Sequence, residues 1–598
     1  MSMEIQRNLP SEENGHETNH QEQEVSRKSK GGLVTMPFII ANEAFEKVAS
    51  YGLVPNMVLY LMNEYNMGVA KATIVINYWN AALNFMPLLG AFVADSFLGR
   101  FLTIGLGSIA SLLGMIQLWL TAMIPRARPP PCDQFTQHCK LASPAQYGFL
   151  ISSFGLMSIG AGGIRPCSLA FGGDQLDNRN NPDNDRVLES FFGWYYASSA
   201  VSVLIALTGI VYIQEHLGWK VGFGVPAILM VLSALLFFLA SPLYIKLNAS
   251  KSLLTGFLQV IVVAFKNRRL AFPEDNSNGY HYEKGSLYTS PTDKLRFLNK
   301  ACIIKNPQDV SSSGVSLDHW NLCSIEQVED LKALIKVIPL WSTGIMVAIN
   351  IGQTTLPVIQ ANSMDRHITS SFQIPAGSLG MFAIITLAIW VILYDRVIVP
   401  LAFRTANKKK NIHLGVKLRM GIGIFLSCLA MTVSGIVEHV RRKRAIEQGI
   451  ANDPHGVVRM SALWLVPQNC LNGLAEAFFA IAQTEFYYSE FPKSMSSIAA
   501  SLFTVGMGVG NLLASVVLST VDSATKAGGK ESWISSNINK GHYEFYYWLL
   551  AAMTSVNLIY FVCCSWLYGP CVETVGRSGV ERSCLEEEKS VEGHLFRK

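Results

Sequence analysis

The sequence predicts an all-α membrane protein of about twelve transmembrane helices. Three observations carry that expectation. Half of the 598 residues are apolar and only 15% are charged, with a mean hydropathy of +0.28, a balance rare in a soluble protein of several domains. Long apolar runs recur along the chain, among them Val201 to Ile213, Gly222 to Ser241 and Gly421 to Val437, and a spanning helix needs roughly 20 such residues. The runs fall into two groups of six, separated by a polar stretch.

Residues 1–32 open with the acids Glu12, Glu13, Glu22 and Glu24 and end on the basic stretch Arg27 to Lys30. They contain no apolar core of a signal peptide and read as a disordered cytosolic tail, whose basic end favours an inside amino terminus. Residues 33–245 form an amino-terminal six-helix bundle, with spans expected at Leu33–Met62, Lys71–Ala94, Phe101–Ile124, Pro144–Leu169, Glu189–Ile213 and Trp219–Ala240. Residues 246–330 carry ten basic and nine acidic residues and read as a cytosolic central linker, whose apolar stretch near Leu253 to Phe265 fits an interfacial helix. Residues 331–568 form a carboxy-terminal six-helix bundle, with spans expected at Ala333–Ile351, Pro375–Val399, Leu414–Val437, Ser461–Phe486, Met495–Val521 and Tyr543–Trp566. Residues 569–598 are a second cytosolic tail. Two six-helix bundles joined by a long loop is the major facilitator arrangement, in which the solute sits near the midplane between the halves.

Basic residues test the orientation, because loops on the cytosolic side hold an excess of Lys and Arg. Lys408, Lys409 and Lys410 agree with an inside amino terminus. Arg441, Arg442, Lys443 and Arg444 fall on the outer side of this count and do not. Either the rule is locally broken or one span is misplaced.

The formal net charge is +5, and the basic residues are scattered rather than striped with aromatics, which argues against nucleic acid as a partner. The eleven cysteines show no metal-like spacing. Cys132 and Cys139 share an outer loop and form either a disulfide or two free thiols, with the sequence favouring neither. Cys563 and Cys564 stand too close for an ordinary bridge. Catalytic Ser/His/Asp, Walker and Cys/His signatures are lacking, so no enzyme, metal or cofactor is expected.

Ionisable groups at bilayer depth cost several kcal/mol, on the order of 3, and therefore mark function. The first helix carries Glu43, Glu46 and Lys47, whose spacing of three and four places them on one face. The fourth carries Arg165 in Gly160-Ala-Gly-Gly-Ile-Arg-Pro166, where small residues permit close helix approach. The tenth carries Glu476 in an otherwise apolar run. If the five converge, three carboxylates face two cations, and the acid left without a partner becomes a proton carrier. Protonation would release Arg165 or Lys47 to attract an anion, which is the logic of symport. A static salt-bridge cluster is the plainer alternative for each residue taken singly.

Following the second helix, Gly90 to Thr103 places Asp95 and Arg100 where they can cap helix ends and pair on the cytosolic side, as a gate or as a topology-fixing turn. Thr103 lies three residues beyond Arg100, a spacing some kinases favour, so a kinase acting on cytosolic segments is a candidate partner. On the seventh helix Asn350 and Gln353 either offer uncharged hydrogen bonds to a solute or bridge neighbouring helices.

At these residues the chain resembles the plant nitrate and peptide transporter family, the plant branch of the proton-dependent oligopeptide transporters. Glu43, Glu46 and Lys47 match its E-x-x-E-[RK] motif, with lysine for the commoner arginine. Gly90 to Thr103 matches its signature between helices two and three. Gly162 to Cys167, Phe191 to Tyr196, Asp293 to Lys300 and Glu485 to Tyr488 are further shared runs, so the likeness extends from Gly31 to about Tyr568. It is nearest to the subfamily that includes low-affinity nitrate carriers. The resemblance implies that Glu43, Glu46 and Lys47 couple protons and that Arg165 and Glu476 line a central cavity. It also implies that Asn350 stands where one kind of member has a nitrate-contacting histidine. Arg165 replaces the lysine of many members, and Ala200 to Ser202 replaces the usual Asn-x-Gly.

The expected function is proton-coupled symport of nitrate at low affinity by alternating access, in the plasma membrane, with nitrate, protons and the lipid bilayer as partners. One alternative is a larger organic solute, such as gibberellin, abscisic acid, jasmonate, a glucosinolate or a di- or tripeptide. Another is a solute sensor with little flux.

Overall fold

A computed structural model describes residues 31–132, 139–177, 184–247, 253–273, 279–282, 290–305, 310–311, 316–398, 415–492 and 495–569. The two expected tails and the Lys408 to Lys410 loop lie outside the described residues, apart from the short ends 31–32 and 569.

The described residues form α1 (Met36–Tyr65), α2 (Val69–Val93), α3 (Arg100–Met123), α4 (Pro144–Leu176), α5 (Asn184–Ile205, continued by Val211–His216), α6 (Gly218–Leu239) and the shorter α7 (Leu253–Lys266). Then follow α8 (Ile325–Ile351), α9 (Thr355–Asn362), α10 (Met381–Leu393), α11 (Val416–Glu447), α12 (Val466–Glu490), α13 (Ser496–Lys526) and α14 (Tyr543–Tyr568). Setting aside the short α7 and α9, twelve helices match the twelve expected spans. Ten are long and apolar enough to cross a bilayer. The other two are α1 and α12, whose polar side chains include Glu43, Glu46, Lys47 and Glu476.

The chain divides into two compact units. One is drawn from Met1–Lys251 with Gln373–Met381, the other from Ser252–Phe372 with Phe382–Lys598. In the first unit α2, α3 and α4 meet at glycines. A Cβ built on Gly90 would fall 1.8 Å from the Gly162 carbonyl oxygen, one on Gly160 would fall 2.5 Å from Ser111 Cβ, and one on Gly163 would fall 2.6 Å from the Thr103 carbonyl oxygen. Small residues thus set the helix spacing, because contact rather than hydrophobic driving force holds helices together in lipid. At one end of this unit Gln175 pairs with the backbone of Ile245 in both directions, at 2.7 and 2.9 Å, while the Gly31 and Gly32 amides donate to the Leu243 and Gln175 carbonyls. A Cys132–Cys139 disulfide closes the loop between α3 and α4, which resolves the alternative left open by the sequence. The Asn66 amide reaches the carbonyls of Pro130 and Lys140 on either side of it.

In the second unit, α7 and the turn Arg296–Cys302 pack into the same core as the first turns of α8, through Phe257, Val260, Leu298, Ala301, Ile325 and Val328. The segment expected as linker is therefore partly folded onto this unit, and α8 begins at Ile325, eight residues before its expected start. Burial pushes the thiols of Cys302 and Cys323 there up to about 12. A two-stranded parallel ladder joins β1 (Met364–Asp365) to β2 (Val458–Ser461).

Part of the orientation conflict has a structural reason. The expected span ended at Val437, but α11 continues to Glu447, so Arg441 to Arg444 belong to a helix and not to a loop. Arg441 and Glu438 are completely buried and pair at 2.7 Å, and Arg442 pairs with Glu544. Arginines bound to carboxylates are poor reporters of a loop's charge excess.

Gly90→Ala should lower stability by about 1–3 kcal/mol, because the added methyl meets backbone that cannot move aside. Thermal unfolding of the purified protein in detergent measures this, and an unchanged melting temperature would mean that α2 and α4 separate there without cost.

Candidate functional site

Four of the five membrane-embedded charges come together in the first unit. On α1, Lys47 Nζ stands 3.4 Å from Glu43 Oε1, one helical turn away. One residue before Lys47, Glu46 faces α4, where Arg165 Nη2 donates to its Oε1 at 3.1 Å and Arg165 Nε to its Oε2 at 3.5 Å. Ser50 Oγ donates to the same Glu46 Oε1 at 2.6 Å. The Arg165 guanidinium also lies over the Tyr51 ring, 5.2 Å from its centre, an arrangement that favours a cation. Glu46 is fully buried, whereas the Arg165 side chain keeps 21% of its surface. Oε2 of Glu43 is buried without a hydrogen-bond partner.

The cluster is thus two acids against two bases, each acid with its own cation. The third expected carboxylate, Glu476, lies on α12 in the second unit. Among the described residues no side chain pairs with it.

At the far end of the α2–α4 contact, Asp95 occupies a turn of π-helix, Ala94–Leu98, joining α2 to α3, a kind of irregularity frequent at functional sites. Arg100 Nε reaches Asp95 at only 3.9 Å. Its stronger partner is Asp174, at 2.5 Å from Nη1, a residue the sequence reading missed. The signal available was Phe171-Gly-Gly-Asp174, a charge following two glycines near the end of a span.

Other expected site residues are placed differently. Asn350 donates to Ser427 Oγ at 2.9 Å and to Thr554 Oγ1 at 2.8 Å, so its amide nitrogen bridges α8, α11 and α14. Gln353 donates to the Ile349 carbonyl at 3.2 Å and accepts from the Tyr546 hydroxyl at 3.5 Å. Both are buried; these bonds are of the helix-bridging kind, while Asn350 Oδ1 is buried without a hydrogen-bond partner. Thr103 is buried as well, with Oγ1 donating to the Gly99 carbonyl at 2.9 Å. Burial of that hydroxyl counts against Thr103 as a phosphorylation site.

A second ionic network, absent from the expected site, surrounds Arg441. Its guanidinium bonds both Glu438 oxygens, Asn539 Oδ1 at 2.7 Å and the Ile538 carbonyl at 3.0 Å, while Gln360 donates to Glu438 Oε2 at 2.7 Å. Tyr547 donates in turn to Gln360 Oε1. A buried ion pair this fully hydrogen-bonded is a fixed strut, because breaking it leaves charges unpaired in a low dielectric. A cleft lined by Trp341, Phe479, Gln483 and Phe503 has room for about one water molecule.

Arg441→Gln should reduce stability by about 3–5 kcal/mol, and Glu438→Gln/Arg441→Gln should recover part of it. Melting curves of the single and double variants measure both effects. Equal losses in the two would show that the penalty is not an orphaned charge.

Residues 101–534 match the family described as PTR2, POT family. The chain is 60% identical over 574 residues to protein NRT1/PTR FAMILY 1.2 of Arabidopsis thaliana, covering 95% of this chain and 94% of that protein. It is 58% identical over 571 residues to protein NRT1/PTR FAMILY 1.1 of the same plant, covering 94% and 96%. In structure it is similar to an auto-inhibited POT family peptide transporter, with a TM-score of 0.66 at 19% identity over 91% of this chain and 98% of that one. It is also similar to the POT family transporter PepTSo, with a TM-score of 0.65 at 19% identity over 90% and 98%. At such identities these two likenesses speak for the fold alone. The family match and the plant relatives carry the assignment: the chain belongs to the POT family, and it is a multi-pass membrane transporter and not an enzyme.

Proposed function

We propose that the protein is a low-affinity, proton-coupled symporter of nitrate in the plasma membrane, working by alternating access. The observation that carries this reading is the Glu46–Arg165 pair, a fully buried carboxylate against a guanidinium that retains some surface. A guanidinium is planar and presents parallel donors, a fit for the planar oxygens of nitrate. While Glu46 is ionised it occupies those donors. A proton arriving on Glu46 cancels its charge, weakens its hold, and leaves Arg165 to bind the anion. One proton and one nitrate add no net charge to the site, so both can be carried through a medium that penalises isolated charge. On release the proton leaves, the ion pair re-forms, and the empty carrier is neutral again.

Glu43 and Lys47 form a second, adjacent pair on the same helix. Lys47 keeps Glu43 balanced, and the unpartnered Glu43 Oε2 offers a second seat for the proton. Asn350 and Gln353 are engaged between helices, which leaves anion recognition in this proposal to Arg165.

Labelled-nitrate uptake in a heterologous cell tests the proposal. Uptake should rise at acidic relative to neutral pH, and Glu46→Gln should reduce pH-driven accumulation by about tenfold or more, equivalent to roughly 1.4 kcal/mol, at matched surface expression. Full accumulation in the variant would remove Glu46 from coupling. No nitrate signal beside a pH-dependent one for a hormone or glucosinolate would transfer the same mechanism to an organic solute.

A further inference from the structure

Helix α7 is apolar on both faces. Phe257, Val260, Val263 and Ala264 are buried in the second unit. On the opposite side Leu258, Ile261, Val262 and Phe265 are 56%, 51%, 37% and 67% exposed, a spacing of three, four and seven residues that makes one continuous stripe. At 14 residues the helix is about 21 Å long, too short to cross a hydrocarbon core of about 30 Å. Four large apolar side chains on one exposed helix face are costly in water.

Basic residues crowd the carboxy-terminal end of that stripe. Lys266, Arg268 and Arg269 are exposed. Arg268 stands over the Phe265 ring at 4.4 Å, and Lys300 donates to the Arg268 carbonyl at 2.6 Å. Arg296 lies over Phe272 at 4.5 Å, beside Phe297, which is exposed. Across residues 255–273 and 290–302 the basic residues Lys266, Arg268, Arg269, Lys294, Arg296 and Lys300 are set against the single acid Asp293. Neither Arg268 nor Arg269 has a carboxylate partner among the described residues.

We propose that this face is a docking surface for an anionic phospholipid leaflet. The stripe from Leu258 to Phe265 lies among the upper acyl carbons, and Arg268 and Arg269 meet the phosphate and carboxylate headgroups, while Lys266 is turned to the Trp320 carbonyl and Asn321 Oδ1. The chain itself holds a membrane nearby, since the spanning helix α6 ends at Leu239 and the spanning helix α8 starts at Ile325. Charge favours that occupant: a second copy of this face would bring six cations against Asp293 and the neighbouring Asp318, whereas a cytosolic leaflet is rich in anionic lipid. The inference rests on the reading of residues 246–330 as cytosolic and is independent of which solute is carried.

The test uses the full chain with Ile261 replaced by a benzophenone amino acid, reconstituted in nanodiscs of phosphatidylcholine containing a minority of phosphatidylserine. After irradiation, lipid adducts at position 261 should be enriched in phosphatidylserine over the bulk ratio by about fivefold per cation in contact. In Arg268→Gln/Arg269→Gln, which alters only exposed side chains, the adducts should return to the bulk ratio. Absence of lipid adducts, adducts to a second copy of the chain, or a bulk lipid ratio in the unaltered protein would each overturn the proposal. Nitrate uptake measured on the same variant separates this outcome from the transport reading, which it leaves standing.

Discussion

The cost of placing charge inside a membrane governs this protein, and the contact that meets it is the bond between Glu46 on α1 and Arg165 on α4. Neither group is tolerable alone at that depth. Their pairing requires α4 to run close beside its neighbours, and the glycines at 90, 160, 162 and 163 provide that approach by exposing backbone where a side chain would stand. The small-residue run before Arg165 and the charge itself are therefore one device. The glycines set the position of the helix, and the helix sets the position of the guanidinium.

Two arginine–glutamate pairs, Arg165–Glu46 in the first unit and Arg441–Glu438 in the second, differ in kind. Arg441 is locked by Glu438, Asn539 and a backbone carbonyl, with Gln360 and Tyr547 extending the network. It has no surface left to offer a solute. Arg165 has Glu46 and the Tyr51 ring, and part of its side chain stays open. A pair held by few bonds can exchange its carboxylate for another anion, while a pair held by many cannot do so without unfolding its surroundings. This contrast is what the proposed switching role of Arg165 rests on, more than burial alone.

Each unit also has an ionic fastening at a helix end. In the first, Arg100 binds Asp174 more closely than Asp95, tying α3 to the end of α4. In the second, Lys332 near the start of α8 bonds Glu329 at 2.7 Å and the Thr292 carbonyl at 2.8 Å, fastening the folded part of the central segment to a spanning helix. Both sit where helices leave their apolar runs, the positions at which charges cost least and can be made and broken.

The sequence by itself determined the membrane class and the twelve helices, and it marked Glu43, Glu46, Lys47, Arg165 and Glu476 as charges at depth, because apolar length and isolated charge within it are properties of local sequence. It located the close-packed glycines for the same reason. Only the tertiary structure decided partners. It assigned Arg165 to Glu46 and Lys47 to Glu43, added Asp174 to Arg100, and turned Asn350 and Gln353 toward neighbouring helices and Thr103 inward. It also bridged Cys132 to Cys139 and drew Arg441 into α11. Hydropathy reads one helix at a time, whereas the role of a polar side chain at depth depends on which group from another helix reaches it.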